Sequence, residues 1–422
     1  MTEKVFQFLV KYGMLVPNFD VLHYADAMRR EMERGLITEY SSYPMIPTYL
    51  RTGMDIPQGK PVAVIDAGGT NFRRAIARFE DGQCVIENME KAGMPGISSP
   101  ATWNEFISFV ADAVEELMPL TDTIGFCFSY SANITPEIDG RVNCIDKEVV
   151  INGCEGMLVG ASLSQELSRR GFPGRKVAVI NDTAAVQLGG MAKHLQQGYT
   201  TCFGQVSGTG TNTCMPVRGE QIGKLGSKAF DMIVNMESGM YDGLPLGLFD
   251  RELDKASHNP GQKRLEKMTA GVYLGELCRR ALRQAASDRI LSLSCAEKVY
   301  ALEHVPSFLA DAWAAGEALE LIAADEDDKA FVSALSVFLF ERSASVMCAN
   351  LTAMAELADA GRNGKAAVFA EGSLVQKNRI YQPKLKELLD RNLRTGLGRD
   401  VELVVEEDTT LPGAAAAALM NK

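Results

Sequence analysis

The segment DAGGTN, from Asp66 to Asn71, follows an apolar run at 62–65 and precedes a second strand-like segment at 72–79. The spelling Gly-Thr-Asn returns at Gly210, Thr211 and Asn212, again directly after a strand-like run. An ordinary hairpin turn needs glycine or asparagine where φ is positive, and this explains the glycines of either segment taken alone. It requires neither the aspartate nor a second copy of the same spelling. The repeat therefore predicts two related turns with a shared task.

The composition limits the class of protein. The chain has 422 residues, more than one hydrophobic core usually organises, so we expect two or three lobes. The formal net charge of -11 argues against a nucleic acid partner, because such surfaces neutralise phosphates with Lys and Arg. The nine cysteines include no CxxC pair and lie mostly in apolar runs. They predict reduced, buried thiols in a cytoplasmic protein.

The sequence predicts neither export nor a membrane partner. Its first residues, MTEKVFQFLVKYG, lack the continuous apolar core of a signal peptide. The longest apolar candidate for a membrane span, residues 333–357, is interrupted by Glu341, Arg342 and Asn350. We therefore expect this segment to be a core helix.

The order of predicted elements occurs twice along the chain. Before the first set, helical spacing over residues 20–36 predicts a helix that ends at Gly35. A connector without regular structure is predicted after it, around Pro44 and Pro47. The first set comprises strands at 62–65, 72–79, 84–91, 123–128 and 177–180, with a helix that begins at the Thr102–Glu105 capping box. The second set comprises strands at 201–206, 213–217, 231–234, 366–369 and 401–405, with helices at 262–286, 327–359, 383–393 and from 411. This pattern predicts an internal duplication of an α/β lobe.

Glycine-rich turns between strands suit phosphate binding, because backbone N–H groups can converge on an anion at close range. The candidates for the nucleotide side of the site, in and beside the two turns, are Asp66, Gly68, Gly69, Thr70, Asn71, Arg73, Gly208, Thr209 and Gly210. A carboxylate would repel phosphate, so Asp66 is predicted to hold Mg²⁺ through water. The sequence contains no GxxxxGK[ST] loop and no HRD or DFG motif, so the nucleotide would be held by two hairpins.

Polar side chains after three apolar segments complete the candidate site. Asp182 ends a strand and opens a helix, so it could take a proton from a substrate hydroxyl. Asp182 or Thr183 acting only as a helix cap explains the same pattern. Asn235 and Glu237 follow another strand and Glu266 begins a helix, where amides and carboxylates could bind adjacent sugar hydroxyls. Each of these residues, taken alone, is also typical of an ordinary surface.

In their order along the chain these segments resemble the hexokinase family, the sugar kinases of the actin-like ATPase fold. The matching segments are IDAGGTNFR, GFCFSY, VINDTAA, SGTGTNTCM, VNMESG, NPGQKRLEKMTAGVYLGELCR, ERSASVMCANLTAM and AEGSLV. The resemblance runs from about residue 44 to the C-terminus. It implies an α/β fold of two ribonuclease-H-like lobes, small and large, that flank a substrate cleft. Residues 57–180 and 410–422 would form the small lobe, and residues 1–56 and 181–409 the large lobe.

The resemblance also implies a role for each matched residue. Asp182 would be the general base, and Lys147 would contact both the sugar and the transferring phosphate. The residues implied to bind the sugar are Ser129, Asn181, Asn212, Asn235, Glu237 and Glu266. Gly372 and Ser373 would lie near the adenosine. The implied reaction is phosphorylation of the 6-hydroxyl of a hexose, glucose or a close analogue, by ATP with Mg²⁺, in a monomer or a homodimer.

The chain departs from the family pattern at positions that line or back the sugar pocket. These positions are Tyr130, Ser131, Ile145, Asp146, Ser238 and Lys263. They leave the preferred hexose open. A sugar sensor of the same fold with little turnover is one alternative. A repressor-type sugar kinase is another, but its usual zinc cluster of Cys and His is not predicted, because the four histidines lie far from closely spaced cysteines.

Overall fold

The computed structural model describes residues 2–14, 19–53, 55–69, 71–145 and 149–421. Its strands are β1 (Ile46–Arg51), β2 (Val62–Gly68), β3 (Asn71–Glu80), β4 (Gln83–Gly93), β5 (Ala101–Thr102), β6 (Thr123–Phe128), β7 (Ser131–Ile134), β8 (Gly140–Cys144), β9 (Ile151–Asn152), β10 (Lys176–Ile180), β11 (Thr201–Ser207), β12 (Thr211–Val217), β13 (Met232–Asn235), β14 (Ala366–Glu371) and β15 (Val401–Val405).

Its α-helices are α1 (Glu3–Lys11), α2 (Val21–Ile37), α3 (Trp103–Val114), α4 (Val159–Arg169), α5 (Asp182–Lys193), α6 (Leu248–Ala256), α7 (Arg264–Thr269), α8 (Gly271–Ser287), α9 (Leu293–Ala301), α10 (Ser307–Ala314), α11 (Glu326–Leu357), α12 (Ser373–Lys377), α13 (Tyr381–Leu389) and α14 (Thr410–Asn421). Short 3₁₀ segments lie at Glu115–Leu117, Leu195–Gln197, Gly219–Gln221, Gly223–Lys228, Ser238–Met240 and Leu319–Leu321, and a π-helical segment, Asp390–Gly396, continues α13.

The two large sheets share one strand order. The first sheet runs β10-β6-β2-β3-β4 and the second runs β15-β14-β11-β12-β13-β1. In each sheet an antiparallel meander of three strands is extended by two parallel strands on the side of its first strand. The predicted duplication is confirmed, and β1 is an additional strand at the edge of the second sheet.

Helix α5 lies between the two sheets. It packs against α14, which covers β6, β2 and β10 of the first sheet, and against β11, β12 and β14 of the second. Glycines permit this close packing: a Cβ on Gly413 would lie 1.9 Å from the carbonyl oxygen of Ala185, and one on Gly190 would lie 2.2 Å from the Phe369 ring. The first residue of α5 is thereby placed between the ends of both sheets.

Two sequence expectations about the N-terminal region are wrong. Helix α2 does not end at Gly35 but continues to Ile37, and Gly35 is needed for packing because its Cβ would lie 2.0 Å from the carbonyl oxygen of Tyr43. The segment with Pro47 is not an irregular connector. It forms β1, in which Pro47 faces Val234 of β13 at the sheet edge, where the missing N–H of proline is tolerated.

The single helix predicted at 262–286 is also wrong, because the chain breaks at Ala270 into α7 and α8. Ala270 has extended backbone angles, and the N–H of the next residue, Gly271, leaves the helical pattern to donate to the carbonyl of Gly208 at 2.8 Å. A tertiary contact with the second glycine turn thus overrides local helix propensity.

Helix α11 has the length and apolar composition of a membrane span, and 67% of its most apolar window is buried inside the protein. The prediction of a core helix is therefore confirmed. Seven of the nine cysteines are buried free thiols, as predicted, whereas Cys84 is half-buried and Cys144 is exposed.

Candidate active site

The first glycine turn joins β2 to β3 and is held by an ion pair. Gly69 has a φ of 49°, which glycine adopts without steric cost. Asp66 and Arg73 face each other across the hairpin, and Oδ2 of Asp66 accepts from Arg73 Nη2 at 2.6 Å and from Thr410 Oγ1 at 3.0 Å. Arg73 Nη1 also donates to Asp408 at 2.7 Å. Burial opposes the charged guanidinium, yet the two carboxylates raise the pKa of Arg73 overall.

Asn71 and Ser129 flank this turn. Gly68 pairs with Asn71, which is exposed at the start of β3. Ser129, just beyond β6, donates its N–H to the carbonyl of Ala67 at 3.1 Å, and its Oγ lies 3.4 Å from the position that a Cβ on Gly68 would take. The candidate sugar residue Ser129 therefore borders the candidate phosphate turn.

The second turn is held by backbone contacts. Ser207 pairs with Thr211, so the turn consists of Gly208, Thr209 and Gly210, with Thr209 exposed at its tip. The Gly208 N–H donates to the carbonyl of Gly210 at 3.0 Å.

The predicted adenosine-side pair packs against the second turn. A Cβ on Gly208 would lie 3.2 Å from the backbone nitrogen of Ser373 and 3.5 Å from the Cα of Gly372. Gly372 has a φ of 124°, a conformation open mainly to glycine. The backbone of β14 can therefore bend sharply into α12 beside the turn.

Asp182 is the first residue of α5, and the helix is capped by its neighbour. Asn181 is the N-cap, and its Oδ1 accepts from the Thr183 N–H at 2.8 Å. Asp182 Oδ1 accepts from the same N–H at 2.7 Å and from Thr183 Oγ1 at 3.2 Å. Within the described part of the chain, both hydrogen bonds to this carboxylate reach Oδ1. Oδ2 is therefore the oxygen that can take a substrate proton.

A chain of amides and carboxylates lies at the ends of β12 and β13. Asn212 Nδ2 donates to Asn235 Oδ1 at 2.8 Å, and Asn235 Nδ2 donates to Glu237 Oε1 at 2.8 Å. Glu237 has a left-handed backbone with φ 51°, which turns the chain sharply after β13. Glu266 Oε2 accepts from the Thr211 N–H at 3.1 Å. This cluster thus adjoins the second turn.

The charge of Asp182 contributes to two pKa shifts in this region. Burial raises the pKa of the Cys127 thiol, and the charges of Asp66 and Asp182 raise it further. Burial also raises the pKa of Glu237; its hydrogen bond from Asn235 opposes this shift, while the charges of Asp182 and Glu266 add to it. Asp182 therefore acts both on a residue beside the first turn and on a residue beside the second. The start of α5 thus follows β10 of the first sheet, and α5 packs against β11, β12 and β14 of the second.

Two predicted site residues, Thr70 and Lys147, lie outside the described residues, as does Asp146. Among the residues that are described, no group of three or more His, Cys, Asp or Glu side chains could hold a metal ion. Cavities of about 490 Å³ and 340 Å³ lie elsewhere, against α3 and α4 and beside the start of β11. The candidate site is identified by its converging polar side chains and not by either cavity.

Several contacts of the site were not predicted from the sequence. They are the Tyr130 hydroxyl on the carbonyl of Gly69, the Thr410 hydroxyl and the Asp408 carboxylate in the Asp66–Arg73 network, and the Gly271 N–H on the second turn. Only Tyr130 had a visible signal, because it lies inside the quoted segment GFCFSY and differs from the family pattern. The others join residues far apart in the chain.

Two models of the hexokinase family match residues 10–191 and 202–420. The chain belongs to the hexokinase family. It is 32% identical over 285 residues to hexokinase-2, chloroplastic, of Nicotiana tabacum. The match covers 63% of this chain and 56% of that relative. It is 32% identical over 285 residues to hexokinase-1 of Saccharomyces cerevisiae, with 62% and 56% covered. The chain spans little more than half of the length of these hexokinases.

The solved structures extend this likeness to the whole fold. A hexokinase from Schistosoma mansoni complexed with glucose superposes with a TM-score of 0.80, covering 99% of this chain and 98% of that chain at 22% identity. The predicted fold class, two ribonuclease-H-like lobes of the actin-like ATPase type, is confirmed, as is the resemblance to hexokinases.

Proposed function

We propose that this hexokinase-family protein transfers the γ-phosphoryl group of ATP to the 6-hydroxyl of a hexose, glucose or a close analogue. The observation that carries the proposal is the position of Asp182 between the two sheets. It lies two residues after Ile180 of β10, which pairs with Cys127 of β6, and one residue before Thr183, whose carbonyl accepts from Cys214 of β12 at 3.2 Å. The family membership and the hexokinase relatives support the same reaction.

The hexose would bind at the amide–carboxylate cluster with Ser129 and Asn181. Asn212 and Asn235 supply amide donors, and Glu237 and Glu266 supply carboxylate acceptors, which suits adjacent sugar hydroxyls. The hydrogen bonds among these side chains hold them in place before the substrate arrives. This preorganisation reduces the entropy lost on binding.

Asp182 would act as the general base. Its Oδ1 is held by Thr183, so Oδ2 is fixed in direction and can take the proton of the 6-hydroxyl as the oxygen attacks phosphorus. The N-terminus of α5 stabilises the negative charge. Phosphoryl transfer needs little covalent help from the protein, so alignment and charge stabilisation supply most of the rate.

The two turns would hold the phosphates of ATP through their N–H groups, with the adenosine beside Gly372 and Ser373. Lys147 is proposed to contact the transferred phosphoryl group. The residues present fit Mg²⁺ held through water, because Asp66 supplies one carboxylate. Its Oδ2 is engaged by Arg73, and its Oδ1 lies on the side of Gly68. When bound, Mg²⁺ neutralises charge on the transferring phosphates.

The proposed partners are the hexose and ATP, without nucleic acid or a membrane, in a cytoplasmic monomer or homodimer. Water competes with the sugar as acceptor of the phosphoryl group. We therefore propose that the small lobe (residues 57–180 and 410–422) and the large lobe (residues 1–56 and 181–409) close on the hexose. Contacts of α14 with β2, β6 and β10 support its assignment to the small lobe.

The test is ATP-dependent phosphorylation of glucose, mannose, fructose, glucosamine and N-acetylglucosamine by the full chain with Mg²⁺. We expect turnover on at least one sugar. Asp182→Ala should lower kcat by about 10²- to 10⁴-fold, the usual contribution of a general base, while hexose binding measured by calorimetry stays near normal. Asp122→Ala is the control and should leave kcat unchanged, because this exposed aspartate lies directly before the start of β6, at the end remote from Ser129.

Turnover by Asp182→Ala at the wild-type rate would assign the base elsewhere. Hexose binding without turnover by the wild-type protein would instead favour a sugar sensor. If the wild-type protein neither binds nor phosphorylates any of the five sugars, the proposal is overturned.

A further inference from the structure

Tyr130 connects the sugar side of the candidate site to the first glycine turn. Its hydroxyl donates to the carbonyl oxygen of Gly69 at 2.8 Å. Its side chain is 4% exposed, and its ring packs against Phe128 with the centroids 5.2 Å apart. The preceding residue, Ser129, borders Gly68 of the same turn. Two consecutive residues of one short segment after β6 therefore lie beside the turn.

The backbone of this turn needs such an external support. Gly69 has no Cβ to restrict its φ and ψ, so the turn has several accessible conformations of similar energy. A hydroxyl that holds the Gly69 carbonyl therefore restricts the backbone conformation of Gly69.

In the second turn, a backbone N–H holds a glycine carbonyl in the same way. The carbonyl of Gly208 accepts from the backbone N–H of Gly271 at 2.8 Å. In both turns, then, a glycine carbonyl is held by a donor from a neighbouring element. In the first turn this donor is a single side-chain hydroxyl, which can be removed without changing the backbone.

We propose that Tyr130 is a positioning residue that orients the first turn for the phosphates of ATP. The inference rests on the function proposed above and deepens it, because it assigns a nucleotide-side task to a residue of the sugar-side strand end. The same segment then sets the position of the acceptor sugar through Ser129 and of the nucleotide phosphates through Tyr130.

The test is Tyr130→Phe, which removes one oxygen atom and keeps the buried ring. We expect the KM for ATP to rise about 3- to 10-fold, the factor that corresponds to one net intramolecular hydrogen bond. The KM for the hexose should stay at the wild-type value, and the thermal unfolding midpoint should fall no further than in Tyr199→Phe, which also loses one hydrogen bond. Tyr199→Phe is the matched control, since it removes a hydroxyl that donates to Glu402, near the end of β11 remote from the second turn.

An unchanged KM for ATP in Tyr130→Phe would overturn the proposal. Equal rises in the KM for ATP and the KM for the hexose would also overturn it. So would a rise of the KM for ATP in Tyr199→Phe as large as that in Tyr130→Phe, because either result indicates a general structural role.

A second measurement keeps the inference separate from the proposed reaction. Binding of the non-hydrolysable analogue AMPPNP with Mg²⁺ is measured by calorimetry for the wild type and both variants, so no turnover is needed. A weaker affinity for AMPPNP in Tyr130→Phe alone would support the positioning role, and equal affinities would overturn it. Failure of the proposed function would appear differently, as absent sugar phosphorylation by the wild-type protein.

Discussion

The two glycine turns occupy equivalent places in sheets of identical strand order, yet they are supported by different interactions. The first turn is held by side chains, namely the Asp66–Arg73 ion pair and the Tyr130 hydroxyl. The second is held mainly by backbone contacts, in which Gly208 meets Gly271 and packs against Gly372, with one side-chain contact from the Glu266 carboxylate to the Thr211 N–H. Duplicated topology thus decides where a turn lies, and the interactions that hold it are free to differ.

The carboxylates near each turn show the same contrast. Asp66, beside the first turn, is paired with a guanidinium that neutralises it. Glu237, near the second turn, bonds to the amide of Asn235 and lies near the charges of Asp182 and Glu266. The first arrangement should depend on one cation, whereas the second, in which burial raises the pKa of Glu237, should be sensitive to acid.

Loss of the cation beside the first turn should have the largest effect. Arg73→Met leaves the Asp66 carboxylate, whose side chain is 11% exposed, without its charged partner. Removing one partner of a buried ion pair costs about 3 kcal/mol or more. The thermal unfolding midpoint should fall clearly. Arg78→Met on the same strand, whose partner Glu87 is 47% exposed, is the control and should change stability by less than about 1 kcal/mol. Similar midpoints for both variants would contradict the contrast.

A Cβ beside the second turn should have an intermediate effect. In Gly372→Ala the new Cβ would lie 2.5 Å from the carbonyl oxygen of Ser207, at a φ of 124°. Such strain costs about 1–3 kcal/mol, and we expect a lower thermal midpoint together with weaker use of ATP. In the first turn, Gly68→Ala would place its Cβ 3.4 Å from Ser129 Oγ, an ordinary contact, so the midpoint should hardly change. Equal losses of stability would mean that both turns are packed alike.

Acid should produce the smallest change, in the affinity for the hexose. Glu237 accepts sugar hydroxyls best as an anion, and its raised pKa means that protonation begins above the ordinary glutamate value of about 4.3. Hexose binding should therefore weaken as the pH falls through this raised pKa. The positive charge of Lys263 lowers the pKa of Glu237, so Lys263→Met should move the loss of binding to higher pH.

This prediction is checked by calorimetric titration of the hexose at several pH values. Among the described residues, the groups that act on Glu237 besides Lys263 include Asn235, Asp182 and Glu266, and Asn212 Nδ2 donates to its Oε1 at 3.4 Å. Lys228→Met, at an exposed lysine, serves as the control and should leave the profile unchanged. An acid limb at the same pH in Lys263→Met and the wild type would contradict the prediction.

Much of the secondary structure could be predicted because local patterns determine it. The strand at 401–405 and the capping box at Thr102 are reproduced, since alternation and capping act over a few residues. Errors arose where distant parts of the chain meet. The break at Ala270 depends on a contact with Gly208, and the length of α2 depends on the packing of Gly35 against Tyr43. No local pattern contains these contacts.

The sequence by itself determined the identity and order of the chemical groups: two glycine turns, a carboxylate at a helix start and the amides and carboxylates that follow strands. Their residue types and the strands before them are local properties of the chain. Only the tertiary structure decided which groups meet, such as Asp66 with Thr410 and Gly69 with Tyr130. These contacts join residues separated by 344 and 61 positions, and they form only once the sheets and α14 have packed.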